Sequence, residues 1–276
     1  VSASAILVRF SQAPSGVTAA YRLGWTVLLL LPVVLLRCRA ELRRVTARDL
    51  VLCGASGVLL ALHFLTWFES LKRTSVASST VLVSTEVIFT ALGFALFLHG
   101  KIPRLGVWAI LLAFGGSALL ALSGGGGAGE LSSNLLALAA ASAAAVYTLI
   151  GRIQRGHLST TVYTFLTYLA CFLTLLLGTA AAGTPLTGYG GREWLIGLAL
   201  AVLCTLLGHS LFSWCLKYLS PSYVSAAKLC EPVFSSLAAI PLFGEVPGPL
   251  QLAGGAAVLG AVLLYTWAER EKTPAG

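Results

Sequence analysis

Long apolar runs, broken by short clusters of glycine, proline and charge, fill the chain from end to end. They predict helices at 1–11, 17–36, 49–70, 75–98, 104–122, 131–151, 158–181, 193–216, 222–243 and 247–267. All but the first approach the roughly 20 residues that cross a bilayer. Val1 to Phe10 is too short to cross alone and is expected to be the second half of a helix. Breakers fall at the predicted connections: Pro14-Ser-Gly16, Pro103, Gly124 to Gly127, Gly183-Thr-Pro185, Pro221 and Pro247-Gly-Pro249. The runs are continuous rather than alternating, which argues against a transmembrane barrel. The expected fold class is an all-α polytopic membrane protein with ten transmembrane helices, the first truncated.

The pattern also repeats. Thr74 to Leu98 carries one carboxylate near its middle, Glu86, and Ser222 to Phe243 carries another, Glu231. Glu86-Val-Ile-Phe89 lies over Glu231-Pro-Val-Phe234. His63 matches His209, Phe68 falls on Trp214, Thr90 on Ser235, Gly100-Lys101 on Gly244-Glu245 and Arg9 on Arg152, with offsets between 143 and 146. Each half holds five predicted helices, and an odd number inserts the second copy upside down. Inverted repeats of this kind are a signature of transporters that rock about a site near the midplane. The expected organisation is a first five-helix repeat at 1–122, a glycine-rich linker at 123–130, a second repeat at 131–268 and a cytoplasmic tail at 269–276.

Composition strengthens the membrane reading. Apolar residues make up 57% of the 276 and charged residues 10%, against roughly 25% charged in soluble domains. The net charge of +8 does not point to nucleic acid, because no basic run is interleaved with aromatics on a soluble segment. It is read instead as topology. Twelve basic residues fall on one side: Arg37, Arg39, Arg43, Arg44, Arg48, Lys101, Arg104, Arg152, Arg155, Lys217, Arg270 and Lys272. Lys72, Arg73 and Arg192 fall in loops on the other, with Arg9 and Arg22 near helix ends. The C-terminus is therefore expected in the cytoplasm, and the protein in a bacterial plasma (inner) membrane. The six cysteines form no CxxC pair and read as small buried hydrophobes. No metal or cofactor is expected, and a monomer is.

Helical spacing groups the polar residues into stripes. Ser79, Val83, Glu86 and Thr90 share one face of the fourth helix; Val224, Lys228, Glu231 and Ser235 share one face of the ninth. His63, Trp67 and Ser70 line up on the third, and His209, Ser213 and Lys217 on the eighth. Matching stripes predict one central cavity for solute and protons. An acid at that depth is expensive to insert and is by default a functional candidate. Glu86 is the first candidate, as proton carrier or amine ligand. Lys228 has three options: an i,i+3 pair with Glu231, a reach to the membrane surface, or a reach to Glu86. The last leaves the cavity at most one net negative charge, which suits a zwitterionic or cationic solute. His63 and His209 are candidate proton carriers. Trp67, Trp214 and Tyr147 are candidates for an apolar wall. Small residues such as Gly115-Gly116 and Gly254-Gly255 are assigned to helix packing. Gly208-His-Ser-Leu211 has a faint protease look but lacks a second glycine and a partnered base.

Cys230-Glu-Pro-Val-Phe, Phe243-Gly-Glu245 and Gln251-Leu-Ala-Gly-Gly255 resemble the second repeat of EamA-type members of the drug/metabolite transporter superfamily. Ala20-Tyr-Arg22, His63-Phe-Leu-Thr-Trp67 and Thr74-Ser-Val-Ala-Ser78 agree with the first. The resemblance implies two inverted five-helix repeats and a cavity lined by helices one, three, four, six, eight and nine. It also implies movement of metabolites, often export of amino acids or related compounds. The chain departs from the family pattern at Val87, where a proline is usual, and at Gly100-Lys101, where Gly-Glu is usual. A fourth helix without that proline is expected to bend less. The expected function is a secondary transporter of a small metabolite (an amino acid or related amphipathic solute) by alternating access, an exporter with protons as the candidate coupling ion; the alternatives are a facilitative channel-like uptake protein and an intramembrane hydrolase.

Overall fold

The computed structural model describes residues 3–97, 103–123, 128–219, 221, 224, 228 and 230–270, and among these all regular structure is helical. The elements are α1 (Ala3–Phe10), α2 (Ser15–Arg37), α3 (Ala47–Arg73), α4 (Val76–Phe97), α5 (Arg104–Ser123), α6 (Ala128–Gln154), α7 (Thr160–Ala181), α8 (Gly191–Cys215), α9 (Cys230–Phe243) and α10 (Pro249–Arg270). A one-turn helix, Arg39–Leu42, sits between α2 and α3. Among the described residues, seven elements, α2, α3, α4, α6, α7, α8 and α10, are long and apolar enough to cross a membrane. The expected linker at Gly124–Gly127, the Gly100-Lys101 pair and most of 222–229 lie outside the described residues.

Local chemistry sets the helix ends. Thr46 and Asp49 form a reciprocal capping box at the start of α3, satisfying two orphan N–H groups. Ser75 caps α4 and Ser159 caps α7 through their hydroxyls. At the end of α7, Gly183 has φ +67°. Its N–H bonds Ala180 O at 2.9 Å and Thr184 N–H bonds Thr179 O at 3.1 Å, the left-handed stop that glycine adopts most easily.

Helices at corresponding places in the two halves pack on one another: α2 against α7, and α5 against α10. In the second pair the backbones nearly touch. A Cβ added at Gly116 would sit 2.9 Å from Gly254 O, and one at Gly254 would sit 2.8 Å from Gly116 O. This is the close approach that small residues permit between helices in lipid. The largest buried cluster runs along α3 (Leu60, Phe64, Trp67, Phe68, Leu71) and joins Ala140 and Ala141 of α6 to Tyr168, Cys171 and Leu175 of α7. Outward, Leu36, Trp108, Leu177, Leu195 and Leu263 are exposed. So broad an apolar surface belongs in lipid.

Two irregularities matter for the centre. α4 is interrupted at Ser84–Thr85, between Val76–Val83 and Glu86–Phe97. No proline stands at this interruption, since position 87 is Val87. Hydroxyls do the work instead: Ser84 Oγ donates to Thr80 O at 2.9 Å and Thr85 Oγ1 to Leu82 O at 2.7 Å. Such back-bonding competes with the helical ladder and bends it. α8 carries a wide-turn π segment, Leu200–His209; segments of this kind re-aim side chains and recur at functional sites.

Corresponding arginines also make corresponding bonds. Arg9 Nη1 donates to Leu71 O, and Arg152 Nη1 donates to Leu216 O. Arg9 adds an ion pair to Glu245 at 2.7 Å, and the other Glu245 oxygen accepts the N–H of Val76 at 2.8 Å. The position corresponding to Glu245 in the first half is Lys101.

Candidate functional site

A cavity of about 30 Å³ lies where α3, α4, α6, α8 and the start of α9 meet. It is room for a water or two. Glu86, His63, Trp67, Tyr147, His209, Lys228 and Glu231 all line it, with Leu60, Val83, Ser84, Ala144 and Phe212. Seven residues singled out from the sequence are therefore brought together.

Glu86 sits on the first residue of the second part of α4, directly after the Ser84–Thr85 break. A carboxylate there benefits from the positive end of the helix. Lys228 Nζ lies 2.8 and 2.9 Å from its two oxygens, and Thr148 of α6 donates to Oε1 at 2.9 Å. Of the three options for Lys228, the reach to Glu86 is the one realised. In a low-dielectric site a pair like this holds only because both members are present.

Glu231 is equally buried, but its Oε1 has no hydrogen-bond partner among the described residues. Trp67 Nε1 is also buried and unpartnered there. Both residues line the cavity, and each holds a buried polar atom without a partner among the described residues, which is expensive to leave unsatisfied.

The histidines form an aromatic core to this wall. His63 Nδ1 lies 3.0 Å from Ala140 O. Its ring is 5.6 Å from Trp67 and 6.4 Å from His209, and His209 is 6.4 Å from Tyr147. The Tyr147 hydroxyl is 3.2 Å from Ser213 Oγ.

Four other candidates stand elsewhere. Ser79 is buried against Ser70, 2.9 Å away. Thr90 and Ser235 are buried one turn further along their helices, outside the cavity wall. Trp214 is 48% exposed and packs on Tyr218 at 5.0 Å. It follows His209 by five residues, and helical spacing carries it round to the outer surface. Lys217, placed on the stripe of α8, lies past the end of that helix.

Thr148 was not among the residues expected; it adjoins Tyr147, and its hydroxyl is the only cue. Arg22 was expected near a helix end but is fully buried. Its guanidinium bonds Thr205 Oγ1 at 2.7 Å and Ser4 Oγ at 3.1 Å, and lies 4.2 Å from the Phe64 ring centre. Asp49 and Glu193, which begin α3 and α8 at an offset of 144, both accept bonds from the other half or its neighbouring turn. The repeated Arg48-Asp49 and Arg192-Glu193 dipeptides are the signal that marks them.

The EamA-like transporter family matches this chain at residues 2–122 and 131–267. The chain belongs to that family. A curated relative, the pseudopaline exporter CntI of Pseudomonas aeruginosa strain UCBPP-PA14, is 24% identical over 207 residues, covering 75% of this chain and 72% of its own. The CntI of strain PAO1 matches to the same extent. A solved crystal structure superimposes at a TM-score of 0.66, over 98% of this chain and 96% of its own, at 19% identity, which shows a shared fold. As an EamA-like protein with several apolar spans, the chain is a multi-pass membrane transporter rather than an enzyme.

Proposed function

We propose that this EamA-like protein exports a small amine-bearing metabolite, amino acid or related amphipathic solute, across a bacterial plasma membrane by alternating access. The observation that carries the reading is the unequal state of two acids in one cavity. Lys228 neutralises Glu86, while Glu231 keeps a bare oxygen. The lining is left with at most one net negative charge, on Glu231, for a solute cation, and Trp67 Nε1 offers a donor to an acceptor on the same solute. The role first given to Glu86 thus passes to Glu231, with Glu86 and Lys228 holding α4 to α9. His63 and His209 stand beside them as candidate proton carriers.

Alternating access supposes two inverted five-helix repeats, 1–122 and 131–268, joined by a linker at 123–130, with the C-terminus in the cytoplasm. The duplicated pattern, the α2–α7 and α5–α10 pairings and the paired contacts of Arg9 and Arg152 support it. A broken helix beside the site is what transporters of this build use. Export follows the relatives, whose name is that of an exporter.

The test is flux of amino acids in proteoliposomes, with and without a pH gradient. Transport of at least one of them, lost in Glu231→Gln, is expected. A gradient-driven accumulation adds proton coupling; flux that never exceeds equilibration indicates a facilitative pathway.

A further inference from the structure

The α2–α3 connection and the helix ends beside it carry Arg37, Arg39, Arg43, Arg44 and Arg48 within twelve residues. All five are exposed. Two acids share the stretch, and both are engaged elsewhere. Glu41 Oε1 accepts the backbone N–H of Ser159 at 2.6 Å. Asp49 takes bonds from Thr46 Oγ1 at 2.7 Å and Gln154 Nε2 at 3.2 Å, and faces His157 Nε2 at 2.6 Å. Among the described residues none of the five guanidiniums is ion-paired. The connection is thus pinned to the α6–α7 turn by its carboxylates and turns its arginines outward.

The helix ends that flank these arginines are apolar and uncovered. Leu36 is 84% exposed at the end of α2, and Val51 is 70% exposed at the start of α3, with Leu35 and Leu50 beside them. The surface therefore changes from apolar to strongly cationic where two candidate spans end. A free phosphate compound would use the arginines alone. A phospholipid uses both parts, its acyl chains against the leucines and valine and its phosphate against the guanidiniums, which bind phosphate in bidentate fashion.

We propose that the α2–α3 connection is a docking surface for anionic phospholipid headgroups. The test titrates full-length protein in neutral detergent with phosphatidylglycerol or phosphatidylcholine, counting bound lipids by native mass spectrometry. Wild type is expected to prefer phosphatidylglycerol, and the preference to shrink as salt rises. Each basic residue near an anionic surface contributes about fivefold, so R39Q/R43Q/R44Q should lower phosphatidylglycerol binding by about a hundredfold and phosphatidylcholine binding, whose choline cancels the phosphate charge, far less. R39K/R43K/R44K should keep the preference, which guards against a folding defect in the glutamine variant. Equal binding of the two lipids by wild type, a preference that ignores salt, or an unchanged preference in the glutamine variant would overturn the proposal. So would displacement of the lipid by millimolar inorganic phosphate, which would mark a small-anion site instead.

Discussion

Glu86 and Glu231 lie 145 residues apart at corresponding places in the repeat. They line the same cavity and are buried alike. Their surroundings are opposite. Glu86 is held by Lys228 and Thr148, whereas Glu231 has a buried oxygen without a partner among the described residues. Duplication has copied the backbone positions but not the charges around them. Lys228 lies on the same stripe as Glu231, yet spends its ammonium on the opposite acid. The contrast supports the proposed division of labour, in which Glu86 and Lys228 join α4 to the start of α9 and Glu231 is the acid for a solute.

Each part of this contrast can be broken separately. The largest effect belongs to Glu86→Gln, which leaves the Lys228 ammonium buried beside a neutral amide. A loss of about 3–5 kcal/mol in unfolding free energy is expected, read by thermal or denaturant unfolding in detergent. E86Q/K228Q should recover much of that loss, because no uncompensated charge remains. Thr148→Val removes one hydrogen bond to an ionised acceptor and should cost about 2 kcal/mol in the same assay. Glu231→Gln is expected to change stability by less than about 1 kcal/mol, since no partner is stranded. A loss as large as that of Glu86→Gln would mean the two acids are equivalent after all. The smallest effect is S84A/T85A. Better helix formers at the break should shift stability by only about 0.5 kcal/mol each, but straighten α4 and weaken the measured Glu86–Lys228 coupling in a double-mutant cycle.

The helices and the central cluster were largely legible in the sequence, for one reason. In lipid the apolar length of a run and its breakers decide helix placement, and any polar stripe within such a run must face protein. The i+3 and i+4 spacing duly gathered His63, Trp67, Glu86, His209, Lys228 and Glu231. What was missed falls into two kinds, positions off the stripe and contacts between helices. Trp214 follows His209 by only five residues and is carried outward. The break in α4 was hidden because proline was the cue sought, while Ser84 and Thr85 produce it by bonding carbonyls within their own turn. Arg22 was expected near a helix end, among the basic residues that mark topology; here Thr205, Ser4 and the face of Phe64 receive it inside. Which acid Lys228 would choose depends on distances between helices, which periodicity along one helix does not contain.

The claim that Glu231, and not Glu86, is the acid open to solute is tested most directly by binding. Purified wild type, E231Q and E86Q/K228Q would each be titrated with an amino-acid panel, following ligand-dependent thermal stabilisation. At least one amino acid should stabilise wild type and E86Q/K228Q with affinities within a few-fold of each other, while E231Q loses the response. Retention of binding in E231Q together with its loss in E86Q/K228Q would contradict the account.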